Sequence, residues 1–123
     1  MYRWLAAYAL VLVAACADPH ARTRAAHQRV DSWIATARFV ADAWLGGAVP
    51  GRYAANTLDE ARRAIRDAEA DLRRRADVPS PLPDAFARAA DAVGGLAAAV
   101  RHDDRDAVRR DRQTLDAVAV AGR

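Results

Sequence analysis

The chain has 123 residues and a formal net charge of +3, with basic charge carried entirely by arginine and a single cysteine. That length suits one small domain, and a lone cysteine excludes an intrachain disulfide, so the fold relies on packing alone. The charge excess is small, because 16 acidic residues sit among 19 arginines, and nothing in that balance calls for a nucleic-acid partner.

Arg3 precedes an apolar run from Leu5 to Ala15 that ends at Cys16. A basic start, a short apolar centre and small residues before a cleavage point form a secretory signal. The run covers about half of the roughly 20 residues that a spanning helix needs, so a removable signal is expected rather than a permanent span. Val13-Ala14-Ala15-Cys16 resembles the lipobox of bacterial lipoproteins. The resemblance covers only the first 16 residues. It implies that residues 1–15 are a cleaved signal peptide and that the Cys16 thiol is diacylated and becomes the new N-terminus. It also implies tethering at the cell envelope, since two acyl chains hold stably where one does not. Ala17, rather than an aspartate, follows the cysteine, which for such lipoproteins favours the periplasmic face of the outer membrane in a diderm cell. An ordinary signal peptide cleaved after Ala15 or Ala17 is the alternative.

Residues 16–24 are expected to form a lipidated tether and residues 25–123 a helical bundle. From about His20 to Leu45, Val30, Trp33, Ala37, Val40 and Trp44 step by 3 and 4, the period of an amphipathic helix. Gly46-Gly47 ends it with a residue suited to the left-handed cap, and Pro50-Gly51 marks a loop. A second helix is expected from Thr57, where Thr57-Leu58-Asp59-Glu60 reads as a capping box. Its stripe is Leu58, Ala61, Ile65, Ala68 and Leu72.

The three prolines between Asp77 and Pro83 predict a stiff, non-helical connector. A third helix follows from about Asp84 to Arg101, with Gly94-Gly95 marking close helix approach or a slight kink. Asp103 or Asp104 caps a fourth helix running to about Ala121, with Val108, Leu115 and Val118 inward and Asp104 and Asp111 on the same line. Four amphipathic segments without strand patterning predict an all-α, antiparallel four-helix bundle. The first helix, at about 39 Å against about 28 Å for the others, predicts that His20–Arg29 protrudes towards the lipid.

The catalytic inventory is thin, and a non-enzymatic protein is expected. Ser32 has no evident base, and the sequence holds no phosphate-binding glycine loop, haem attachment motif or zinc-protease motif. His27 with Asp31, and His102 with Asp106, are each four apart. They form two half-sites that a metal-binding bundle would have to bring together, with zinc, copper or haem as conceivable occupants. No cofactor beyond the covalent lipid is expected. Arg62, Arg66 and Arg73 form the main charge concentration and offer an anion or partner surface. Against this, Asp59/Arg63, Arg63/Asp67, Glu69/Arg73 and Asp71/Arg75 have the spacing of ion pairs along one helix. Trp33 and Trp44 lie on one side of the first helix, as core or as an apolar partner patch with Phe39 or Tyr53. The function expected is an envelope-anchored interaction or accessory module with a protein partner; the alternative is a metal- or small-ligand-binding bundle.

Overall fold

A computed structural model describes residues 18–75, 78 and 81–121; the signal segment and Cys16 lie outside the described residues. Four helices follow in order: α1 Pro19–Leu45, α2 Gly51–Arg74, α3 Pro81–Arg101 and α4 Arg105–Ala121. Among the described residues there is no strand, and no helix is long and apolar enough to cross a membrane. Sequential helices run antiparallel. Contacts between α2 and α3 run from Arg101 with Asp59 at one end to Arg73 with Asp84 at the other, and Arg38 and Asp42 of α1 reach Asp116 and Arg112 of α4.

α1 starts where the sequence predicts. Asp18 accepts a hydrogen bond from the His20 backbone N–H at 3.0 Å and Pro19 occupies the first turn, where a proline forfeits no intrahelical bond. At the other end Gly47 adopts φ +75°. The Gly47 N–H donates to Trp44 O at 3.0 Å and Ala48 N–H to Ala43 O at 2.8 Å, the paired bonds of a Schellman stop.

α2 begins six residues before the capping-box signal. Pro50 is extended at φ −66° and ψ 149°, and helix starts at once because Ala54 and Ala55, both buried, continue the stripe of Leu58, Ala61, Ile65, Ala68 and Leu72 upstream. Thr57 and Glu60 therefore sit inside the helix, and burial of the extra turn and a half overrides the local motif. α3 also starts early. Pro81, Leu82 and Pro83 form its first turn, a place where missing donors cost nothing, so the end of the expected connector is helical.

The early start of both helices lengthens the bundle and removes most of the expected overhang. Within the segment predicted to protrude, Ala26 is buried, His27 packs on Phe86 with ring centroids 6.2 Å apart, and Thr23 accepts a bond from Arg75.

α3 ends in a second Schellman stop, with Asp103 N–H donating to Val100 O at 3.1 Å and Asp104 N–H to Ala99 O at 3.0 Å. The left-handed position is taken by Asp103 at φ 51° instead of glycine. Asp104 serves both neighbours, since its Oδ1 also accepts from Ala107 N–H at 3.0 Å and caps α4. It is exposed, and Asp111 further along the same line is half-buried.

The core is one cluster of Val, Ile, Leu, Phe and Trp set among many alanines, with no buried charged residue among those described. Contact is most extensive between α2 and α3 and sparse between α1 and α4. Gly94 and Gly95 leave α3 helical throughout. A Cβ at Gly94 would stand 3.1 Å from Arg62 Cδ, and one at Gly95 3.2 Å from Asp111 Oδ2, so the pair admits one neighbour from α2 and one from α4.

Candidate functional site

The two histidine half-sites lie at opposite ends of the bundle. His27 Nε2 stands 3.4 Å from Asp31 Oδ2 on α1, beside Phe86 near the start of α3. His102 lies just beyond the end of α3, and Asp106 is in the first turn of α4, where it accepts from Arg109 at 3.0 Å. They do not share a helical face, because the turn at Asp103 separates them. Sixteen residues of helical rise, about 24 Å, divide Phe86 from His102. Among the described residues no three His, Cys, Asp or Glu side chains gather as a metal would require.

His27 caps a cleft between α1, α3 and α4 lined by Val30, Ile34, Leu82, Phe86 and Val118, with a cavity of about 20 Å³. That is space for a single water, far short of a haem or a small substrate.

The arginine row of α2 is engaged across the α2–α3 seam. Arg66 donates to Glu69 at 3.0 Å and to Asp91 of α3. Arg73 donates to Glu69 at 2.9 Å and to Asp84 of α3 at 3.1 Å. Arg101 of α3 returns the contact to Asp59 of α2. Asp59, Arg66 and Arg73 are seven apart, so they fall on one line of the helix and meet Arg101, Asp91 and Asp84 in antiparallel order. Of the four predicted pairs along α2, Glu69 with Arg73 is present, and Asp71 is met at 3.6 Å by Arg74 rather than Arg75.

The hydrogen bond from Arg101 holds the Asp59 carboxyl below the ordinary carboxylate range. Burial pushes Glu69 up, but the bonds from Arg73 and Arg66 outweigh it and leave its carboxyl low. Carboxylates thus already occupy Arg66 and Arg73, while Arg62 is exposed with its stem across Gly94.

Neither Trp33 nor Trp44 is fully exposed. Trp44 is buried, its ring covered by the Arg105 guanidinium at 5.5 Å, and the same guanidinium donates to Leu45 O. Trp33 is half-buried against the core. Among the described residues, the exposed large aromatic side chains are Phe39 and Tyr53, at 73% and 56%. Phe39 is six residues from Trp33, about 120° round the helix axis, so it belongs to the outer face of α1. Around it Ala25, Gln28, Ser32 and Ala35 are exposed, with Asp42 at the edge of the face. An apolar stripe search passes over it because it looks for the buried side.

No family model matches the chain, and no curated protein or solved structure is significantly similar to it. The class that the fold itself defines is an all-α four-helix bundle.

Proposed function

We propose that this chain is a lipid-anchored helical module of the bacterial cell envelope, held through Cys16 and acting by binding a protein partner rather than by catalysis. The observation that carries the reading is the N-terminal pattern of Arg3, the apolar run and Val13-Ala14-Ala15-Cys16. Membrane attachment through two acyl chains follows from that chemistry, with the outer membrane favoured by Ala17 in a diderm cell. The binding half of the reading is supported by Phe39, which leaves a large apolar ring in water on the outer face of α1, the kind of surface that partners cover. The metal-binding alternative has no comparable support, given the separation of His27 from His102.

Growth with an alkyne-bearing fatty acid, followed by mass spectrometry of the mature N-terminus, tests the anchor. The expected result is acylated Cys16 and sedimentation with membranes, both lost in Cys16→Ser. Unchanged membrane partitioning of Cys16→Ser would overturn it. A photo-crosslinking residue placed at Phe39 is expected to capture one discrete envelope protein that the same residue at Arg110 does not.

A further inference from the structure

The outer face of α1 is a line of small side chains broken by one large ring. Ala21, Ala25, Gln28, Ser32, Ala35 and Phe39 step by 4 and 3, the spacing of a seam between two helices. All are exposed except half-buried Ala21. The bundle leaves this line uncovered, because α1 turns Val30, Ile34, Ala37 and Ala41 inward. Small side chains let a facing helix approach to about 8 Å, and they leave room for a ring that such a helix carries.

The charges beside the line decide what fits there. In chain order one edge carries Arg24, Asp31, Arg38 and Asp42. The signs alternate, so the same edge of a second α1, laid antiparallel, offers the opposite sign at each step. Arg24 and Asp42 are 18 residues apart in the chain, about five turns, hence on one line of the helix. Arg24 is exposed and forms no ion pair among the described residues. The Asp42 side chain is 54% exposed. It accepts from Arg112 with both oxygens and still has lone pairs to offer, since a carboxylate provides about four. The opposite edge carries exposed Arg22 and Arg29. Parallel pairing would bring that edge against Arg24 of the other copy, like charge on like. In antiparallel pairing each edge meets itself, and Arg22 and Arg29 fall opposite Ala43 and Thr36.

We propose that α1 pairs with α1 of a second copy of this chain, antiparallel about a two-fold axis beside Ser32 and Ala35. Arg24 of each copy then meets Asp42 of the other, and Phe39 enters the hole between Ala25, Gln28 and Ser32. A surface that complements itself under a two-fold rotation is what an isologous dimer requires. The inference rests on the binding half of the proposed function, names the partner at Phe39 and makes no use of the lipid. Where both copies are anchored through Cys16, the tethers leave from opposite ends of the pair and α1 lies along the membrane surface.

Crosslinking of the full chain with a short bifunctional maleimide tests the pairing, in a Cys16→Ser background that leaves each introduced thiol alone. Ala25→Cys and Ala43→Cys chains, differently tagged and co-expressed, are expected to join to each other. Neither should join to itself, because identical positions stand about 25 Å or more apart in the antiparallel pair. Ser32→Cys, beside the axis, should join to itself. Arg24→Asp, which sets two carboxylates together, should remove most of the mixed product, and so should Phe39→Ser. Both residues are exposed, and circular dichroism checks that each variant keeps its helices. Ala25→Cys and Ala43→Cys each joining to itself would show parallel pairing and overturn the proposal. Equal yields at every position, or no dimer at any, overturn it too. Capture of a different protein at Phe39 without self-crosslinking strikes the second copy and leaves the partner reading standing. No step needs acylation, so failure here is distinct from failure of the anchor.

Discussion

The seam between α2 and α3 and the seam between α1 and α4 use different means to join helices of similar amphipathic character. Along the first, α2 contributes Ala54, Leu58, Ala61, Ile65, Ala68 and Leu72, all buried, and a ladder of Arg–Asp contacts follows one edge. Among the described side chains of α4, Val108 and Leu115 are buried, with Ala107, Val118 and Ala119 half-buried against the core. Much of the remainder is polar: Arg112 grips Asp42 at 2.9 and 3.1 Å and also reaches Asp116, which Arg38 approaches at 3.4 Å. Half-exposed ion pairs contribute little each, whereas buried side chains contribute in proportion to the area they remove from water. The difference teaches that α1 holds α4 largely through a polar clasp, while the more extensive contact of α4 is with α3, and that the α1–α4 seam opens first.

Substitutions divide accordingly. Leu58→Ala, which empties a fully buried site in α2, should cost about 2–5 kcal/mol and lower protection from hydrogen exchange across all four helices. Leu115→Ala should cost less, about 2–3 kcal/mol, because the open edge of the bundle can close on the void. Its exchange signature is the sharper distinction: faster exchange confined to α4, with α2 and α3 still protected. Uniform loss in both variants would show that the two seams melt as one.

Gly94→Ala tests how closely α2 and α3 approach. The new methyl meets only Arg62, a long exposed side chain that can swing aside, so the gain in helix propensity should prevail and stability should rise by up to about 1 kcal/mol. Gly95→Ala meets the short side chain of half-buried Asp111 and should gain less, or lose. Chemical denaturation of the two variants measures both signs.

The smallest effect is that of pH on the α2–α3 ladder. Asp59 and Glu69 have folded pKa values below their ordinary ones. Their contribution is therefore complete above the unfolded carboxylate range, near pH 4–4.5, and is lost as pH falls through that range towards the folded values. The denaturation midpoint should drop between about pH 5 and pH 3, with less than about 1 kcal/mol traceable to this ladder. Combining Asp59→Asn with Glu69→Gln should flatten that part of the profile.

Helix number, order and inward stripes were legible because the apolar residues in line with Val30, Ile65, Leu96 and Leu115 recur with helical period within each helix, and the glycine and proline loops punctuate them. The start of α2 was not, because Thr57 and Glu60 satisfy a local motif that competes with a tertiary gain at Ala54 and Ala55, and the gain wins. Pro81 and Pro83 misled in a similar way, since a proline forbidden in a helix interior is welcome in a first turn. The arginine row was visible as charge, but spacing along one helix favours partners on that helix. Only the antiparallel register of α3 brings Asp84 and Asp91 within reach. The bond from Arg75 to Thr23 had no sequence signal at all, being a product of how the end of α2 meets the start of α1.

The alanine content of the core sets a direction on mutational drift. Ala37, Ala41, Ala54, Ala61 and Ala90 are fully shielded, and a residue with one methyl can hardly become smaller without becoming glycine. Nearly every codon change at those sites adds volume to closely packed ground, where overpacking typically costs about 1–3 kcal/mol. The leucines and valines beside them tolerate exchange in both directions. A randomised library of this bundle should therefore recover varied aliphatics at the large positions and almost invariant alanine at the small ones, so that the least conspicuous residues are the most tightly specified.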